Sequence, residues 1–380
     1  MANRQPDLDP KVLTIADLLV EGQKNVTLAS KEYFNGGAGE MITVRDNEDA
    51  YNRYKLRPRV LRDVDGVDMT TSIFGVQVAA PLGFAPSAAH KLAHPDGELA
   101  TSRAAAKNNI PMCLSSYASM GLEEVKAAGG SNPHAMQITF VRDLEATKEQ
   151  ISRAERAGYH AIFVSVDLPI LGKRLNESRN NFSFPAGLEF PNIRCRPTES
   201  DTNVHLYSIS FCEIGRLTSL DPSITWEKAI PWLRAQTKME IWLKGIYTPE
   251  DVAMAISHGL DGIIISNHGG RQLDGVPATL DALRDCAPVA EGKIAIAIDG
   301  GIRRGADLFK AIALGAQFCF IGRVVIWGLA YNGEKGVDLA VKILLDELRQ
   351  TMMLCGCHSI RDITKGHLSV LQSNGRLSKL

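Results

Sequence analysis

Eight short apolar runs alternate with amphipathic stretches after about residue 75, and this rhythm constrains the fold more than any other feature. The first four runs are Ala79–Ala85, Pro111–Leu114, Ala135–Ile138 and Ala161–Asp167. Four more follow at Glu240–Lys244, Gly262–Ile265, Ile294–Asp299 and Phe318–Ile321. Each is short, and several are rich in β-branched residues and bounded by turn formers, as buried parallel strands are. The stretches between them carry helix-start signals: Pro95-Asp96-Gly97-Glu98, Thr248-Pro249-Glu250-Asp251, and Asp307 to Leu314 closing on Gly315. Eight strand–helix units predict an α/β chain folded as a (β/α)₈ TIM barrel, with its chemistry at the strands' carboxyl ends. An open doubly wound sheet is the alternative. It is disfavoured because no strand leads into a Gly-x-Gly-x-x-Gly turn, and Gly36-Gly37-Ala38-Gly39 follows a helical stretch instead.

Two segments fall outside the rhythm. Residues 1–75 read as an N-terminal helical extension, with a small strand or hairpin around Met69–Val78, that as a whole caps the barrel's base; residues 76–380 form the barrel proper. Residues 180–222 carry Pro185, Pro191, Pro197 and Pro222 with little helical periodicity, and are too long for an ordinary connection. This stretch is expected to be a lid-like loop after the fourth strand.

Bulk composition removes several function classes. The 380 residues are 45% hydrophobic, enough for a large core without disulfide or metal staples. A net charge of −1, from 42 basic and 43 acidic side chains, gives no reason to expect nucleic acid or a membrane surface as partner. No apolar stretch is long enough to span a bilayer, and the polar start does not read as a secretory signal. Seven scattered cysteines suggest a reducing compartment, and Cys355-Gly356-Cys357-His358 lacks zinc-knuckle spacing, so no metal is expected. The terminal Ser378-Lys379-Leu380 matches a peroxisomal address read by an import receptor.

Polar residues recur where the apolar runs end. Ser115 follows the second run, Gln137 closes the third, Ser165 and Asp167 the fourth, and Lys244 the fifth. The sixth leads into Ser266-Asn267-His268-Gly269-Gly270-Arg271, the seventh into Asp299-Gly300-Gly301-Ile302-Arg303, and the eighth into Gly322-Arg323. His268 can take a proton near neutral pH, and Arg271, three residues on, can grip a carboxylate through a two-pronged hydrogen bond. A base beside an anion clamp points to chemistry at the carbon next to a carboxylate. Glycines and arginines after strands seven and eight form the usual barrel phosphate site.

These motifs, in this order, make the chain resemble the FMN-dependent 2-hydroxy acid oxidases and dehydrogenases, among them glycolate oxidase and lactate oxidase. The resemblance runs from Tyr33 to the terminal tripeptide and includes Ala85-Pro86-Ser87-Ala88, Val166-Asp167-Leu168-Pro169, Leu243-Lys244-Gly245 and Ile321-Gly322-Arg323. It implies FMN as cofactor, oxidation of an L-2-hydroxy acid to a 2-oxo acid, and reoxidation by O2 with release of hydrogen peroxide. His268 would be the catalytic base and Asp167 its orienting carboxylate. Arg174, Arg271 and Tyr33 would bind the substrate carboxylate, and Lys244 would place positive charge at the flavin ring. Pro86, Ser87, Ala88, Ser115, Gln137, Ser165 and Ser266 would contact the cofactor, and Asp299, Gly301, Arg303, Gly322 and Arg323 would hold its ribityl and phosphate parts. Relatives are commonly tetrameric, so a homotetramer is implied as well.

Two positions depart from the family pattern. Tyr117 stands where glycolate oxidase has a tryptophan, and Thr139 stands where the family has an active-site tyrosine. Both are expected to shape the substrate pocket, and Thr139 suggests a substrate bulkier than glycolate. Rival readings are a dehydrogenase with another electron acceptor, a flavin oxidase of a specialised metabolite such as a cyclic amine, and a phosphate-ligand binding barrel without catalysis.

Overall fold

The computed structural model describes residues 8–193, 220–372 and 374–380. Eight parallel strands close into a barrel: β1 (Leu82–Phe84), β2 (Met112–Leu114), β3 (His134–Thr139), β4 (Ala161–Ser165), β5 (Glu240–Ile246), β6 (Gly262–Ile265), β7 (Ala295–Asp299) and β8 (Phe318–Ile321). Each of the eight apolar runs overlaps one of them, and two strands, His134–Thr139 and Glu240–Ile246, extend beyond their runs. Pairing of β8 with β1 through Phe320 and Gly83 closes the ring and removes the open-sheet alternative.

Local chemistry starts the surrounding helices. Thr248 accepts the Asp251 N–H and Pro249 sits in the first turn, so the helix Pro249–Ser257 begins with an orphan donor satisfied and φ preset. The helix Gly305–Ala313 is capped by Asp307, whose carboxylate takes the N–H groups of Arg303 at 3.0 Å and Arg304 at 2.9 Å.

Inside the barrel, inward residues of β2 to β8 share one apolar cluster. Small Cys113, Ala135, Ala161 and Ala297 interleave with bulky Phe163, Trp242, Phe318 and Phe320. Phe163 lies edge-on to Phe320 at 5.3 Å, filling the lower half of the barrel as a packed core rather than a pore. One strand period further along, the inward positions turn polar: Ala135 gives way to Gln137, Phe163 to Ser165, Trp242 to Lys244, and Ala297 to Asp299. Pairing of Thr139 with Ser165 and of Ser165 with Lys244 sets these three in one row. The upper end of the barrel is thus a polar floor resting on an aromatic plug.

The N-terminal segment is divided between the two ends. The hairpin of Thr71–Ile73 and Val76–Val78 presses Phe74 against Phe163 at 5.9 Å and Trp242 at 5.8 Å, which is the base closure expected. The helix Ile42–Arg53 goes instead to the carboxyl rim. There Thr43 and Glu40 donate backbone N–H groups to Asp274, and Asn47 exchanges a reciprocal amide pair with Asn267 at 2.9 and 2.8 Å.

The segment Arg323–Cys355 follows β8 and bends at Asn332 and Gly333, whose backbone angles are not helical. Among the described residues no helix is long and apolar enough to cross a membrane. Strand Leu368–Leu371 pairs with Tyr54–Leu56 and with Leu377–Lys379 in a small antiparallel sheet. Of the long loop expected over 180–222, residues 194–219 lie outside the described residues.

Candidate active site

One cavity opens at the carboxyl rim, lined by residues from all parts of the barrel and by Tyr33 and Phe34 of the helix Leu28–Asn35. Its floor is the polar row. Lys244 is buried, with its Nζ 2.8 Å from Ser266 Oγ and 2.9 Å from Asp299 Oδ2. Burial works against the Lys244 charge, but Asp299 and Asp167 outweigh it and raise the ammonium's pKa. Gln137 locks the adjacent wall: its amide donates to Thr139 Oγ1 at 2.9 Å and Ser165 Oγ at 3.2 Å, and its oxygen accepts the Ser116 N–H at 3.0 Å.

His268 stands above this floor in a strained loop. It opens a run of three residues with positive φ (57°, 63° and 75°). Left-handed backbone costs a non-glycine residue about 1–2 kcal/mol, so the surroundings must hold it. They do so through the His268 N–H to Ser266 Oγ at 3.1 Å, the Gly270 N–H to Asn267 Oδ1 at 3.1 Å, and Arg323 to the Gly269 carbonyl at 2.9 Å. The imidazole Nδ1 lies 3.2 Å from both Asp167 oxygens, leaving Nε2 as the nitrogen free of that carboxylate. Burial lowers the His268 pKa more than Asp167 raises it, so the ring is neutral at pH 7. Asp167 is also buried, which pushes its carboxyl up, yet His268 and Lys244 overcome this and hold it below the ordinary value. Gly245, at φ 106° in a β-bulge of β5, lets Asp167 in: a Cβ there would come within 2.7 Å of the Asp167 Cβ.

Four guanidinium groups line the same cavity. Arg271 donates to the carbonyls of Tyr33 and Gly36 at 2.6 and 3.2 Å and sits 5.1 Å over the Tyr33 ring. Arg174 and Arg271 each reach Glu177 Oε1 at 3.4 Å. Arg323 is bonded to the Phe34, Gly36 and Gly269 carbonyls, and Arg303 pairs with Glu48 at 2.7 Å and lies 4.7 Å over Trp327. Burial and the neighbouring Arg174 bring Arg271 down to about 10; burial with Arg271 and Arg303 brings Arg323 down to about 9. So much confined positive charge marks an anion-binding cavity.

Sequence reasoning placed almost every one of these groups. Pro86, Ser87, Ala88, Ser115, Tyr117, Gln137, Thr139, Ser165, Gly301 and Gly322 all line the cavity with the arginines, Lys244, His268 and Asp299. Asp167 stands behind His268 rather than in the lining, as an orienting group would. Ser266 lies buried just beneath the lining, between Lys244 and the loop of His268, its oxygen accepting from the Lys244 ammonium and from the His268 N–H. Several residues were missed. Glu177 follows Arg174 by one helical turn, a spacing that could have flagged it. Gln272 donates to the Asp167 carbonyl at 3.0 Å and ties the two rim loops together. Phe182 and Phe184 cover Tyr33, the first stacked at 4.6 Å and 7°.

The family model described as FMN-dependent dehydrogenase matches residues 22–370. The chain belongs to this family. It is 47% identical to "Oxidase FUB9" of Fusarium oxysporum f. sp. lycopersici, covering 98% of this chain and 95% of that one. It is 41% identical to human "2-Hydroxyacid oxidase 1", covering 94% and 96%. Spinach (Spinacia oleracea) glycolate oxidase is also 41% identical, covering 89% and 90%. Mandelate oxidase solved with (S)-4-hydroxymandelic acid superposes with a TM-score of 0.86 at 34% identity, covering 94% of this chain and 98% of that one.

A family cofactor must suit the residues present, and FMN does. Asp299 Oδ1 and Arg303 Nε are buried without a hydrogen-bond partner among the described residues, an acceptor and a donor left open in one cavity. A polyol phosphate supplies the complement to each. Gly301, at φ 76°, brings the β7 loop against the helix Ile42–Arg53 so closely that a Cβ would lie 1.9 Å from the Asn47 carbonyl. In this FMN-dependent oxidoreductase Asp299, Arg303 and Arg323 would hold the ribityl phosphate, and Lys244 would stand near the ring.

Proposed function

We propose that this enzyme oxidises an L-2-hydroxy acid to the corresponding 2-oxo acid, with O2 as electron acceptor and hydrogen peroxide as second product. The observation that carries the reading is a neutral imidazole, His268, backed by Asp167 and set in the same cavity as the carboxylate-binding pair Arg174 and Arg271. FMN, when bound, supplies the two-electron oxidant. The two guanidinium groups grip the substrate carboxylate and so fix the neighbouring carbon. His268 accepts a proton from the substrate, and Asp167 stabilises the imidazolium that results. Lys244 lends positive charge to the floor. Phe34, Leu168, Leu171 and the aromatic cluster on Tyr33 keep the upper cavity poor in water.

Relatives named oxidase support O2 as acceptor over the dehydrogenase reading. Ser378-Lys379-Leu380 supports delivery to peroxisomes, which a fluorescent fusion with and without the tripeptide would check. The activity test is anaerobic mixing of the yellow protein with a panel of 2-hydroxy acids, followed by air. Loss of visible absorbance, its return within seconds in air, and peroxide equal to substrate consumed are expected. A protein bleached by no 2-hydroxy acid would overturn the proposal, and one that air fails to recolour would be a dehydrogenase.

A further inference from the structure

We propose that Thr139 opens the active-site cavity into a second cavity, which receives an apolar side arm of several carbons carried by a monocarboxylic 2-hydroxy acid. This rests on the function proposed above and narrows its substrate class.

The second cavity measures about 250 Å3 and lies beside the first at the carboxyl rim. Thr139, Ser165 and Leu168 line both. They therefore form the partition between the two. Thr139 is the position where the family resemblance calls for a tyrosine, and a phenol ring there would fill the partition that a threonine leaves thin. The Thr139 hydroxyl is already engaged by Gln137 at 2.9 Å, so it is no free polar group asking for a ligand.

The far wall is apolar. Phe140, buried against Trp232 at 5.9 Å, contributes with Ile224, Trp226, Ala229 and Ile230. No lysine, arginine or histidine lines this cavity among the described residues, while Asp221 and Asp251 do. A second carboxylate on the substrate would meet two acids and no cation, so dicarboxylic hydroxy acids are disfavoured. Each acid already has one oxygen engaged by a neighbour. Asp221 Oδ1 accepts the Ser223 N–H at 2.9 Å and its Oγ at 2.7 Å, and Asp251 Oδ2 accepts the Thr248 hydroxyl at 3.0 Å. The larger share of the surface that faces this cavity is hydrocarbon.

The test is a chain-length profile. Steady-state kcat/KM is measured for straight-chain (S)-2-hydroxy acids from glycolate upward, with a 2-hydroxy dicarboxylic acid of matched length. Calorimetric Kd values are measured in parallel for the corresponding 2-oxo acids on the holoenzyme. Each methylene buried in the second cavity should raise kcat/KM and tighten Kd about fourfold until the cavity is full. The dicarboxylic acid should fall well below its monocarboxylic counterpart. Ala229→Trp, which fills the second cavity from its far side, should lower the long-to-short ratio of kcat/KM at least tenfold. Should that variant fail to fold, Thr139→Tyr, which closes the partition, must lower the same ratio. A flat chain-length profile, or a variant that depresses all acids equally, would overturn the inference while leaving the oxidase function intact. Tightening Kd with chain length, without bleaching by any hydroxy acid, would sustain the side cavity and sink the oxidase.

Discussion

His268 meets Asp167 through a forked contact, with one ring nitrogen 3.2 Å from each carboxylate oxygen. Two opposing effects set the base. Burial drives the His268 pKa down and Asp167 draws it partway back, leaving it below the ordinary 6.5. Because the neutral ring is the active form, kcat/KM should rise about tenfold per pH unit on the acid side and level off below pH 6.5. Asp167→Asn removes the charge that raises His268, so the acid limb should move to lower pH. Its plateau should drop about 10²- to 10⁴-fold, because the imidazolium loses its counter-charge. A pH–rate profile of both proteins checks this, and an acid limb moving upward would contradict the arrangement.

Lys244 and Asp299 form a buried ion pair at 2.9 Å, and neither side chain is more than 8% exposed. Removing one partner strands the other without solvent, at about 3–5 kcal/mol. Lys244→Met should therefore lower Tm and release flavin on gel filtration. The double variant Lys244→Met/Asp299→Asn should recover most of the lost Tm without recovering the flavin. Equal instability of single and double variants would show that the pair is not the source of the cost.

The barrel was legible because its strands obey two patterns at once. Apolar runs such as Gly262–Ile265 mark burial on both faces, and the buried polar residues Gln137, Lys244 and Asp299 mark the end where the apolar interior gives way to the polar floor. The site could be read for the same reason, since each strand-end polar group stands on an inward position fixed by the pleat. Gln272 and the Phe182–Phe184 cover escaped because loops carry no period, and their contacts depend on which loops the barrel brings together. The destination of the helix Ile42–Arg53 was hidden likewise: its amphipathic pattern shows a buried face but not which end of the barrel buries it.

That helix is fastened by the buried amides of Asn47 and Asn267, and Asn47 Oδ1 also accepts the Thr279 N–H at 3.2 Å. Asn47→Ala leaves an amide and a backbone donor unpaired, each worth about 1–3 kcal/mol of desolvation. Because Asn267 also holds the Gly270 N–H, the His268 loop should loosen with it. Tm should fall, and kcat should fall more than tenfold with little change in flavin content. A variant that loses Tm but keeps full kcat would confine Asn47 to a stabilising role.

Glu177 places one oxygen 3.4 Å from both Arg174 and Arg271, so an internal carboxylate already shares the two groups proposed to bind the substrate's. Both arginines are largely buried and repel each other; burial first, and Arg174 second, lower the pKa of Arg271. Glu177 offsets that repulsion in the free enzyme and must yield part of its contact when an acid enters. Glu177→Gln keeps the shape and removes the charge. The free protein should lose a few degrees of Tm, while an incoming carboxylate no longer competes with the Glu177 charge for the two guanidinium groups. KM for 2-hydroxy acids should then fall about three- to tenfold and rise more steeply with ionic strength, since the site carries one more positive charge. Product 2-oxo acids carry the same carboxylate, so their inhibition should strengthen by the same factor. A KM that rises instead would mean that Glu177 holds the arginines in place for the substrate rather than competing with it.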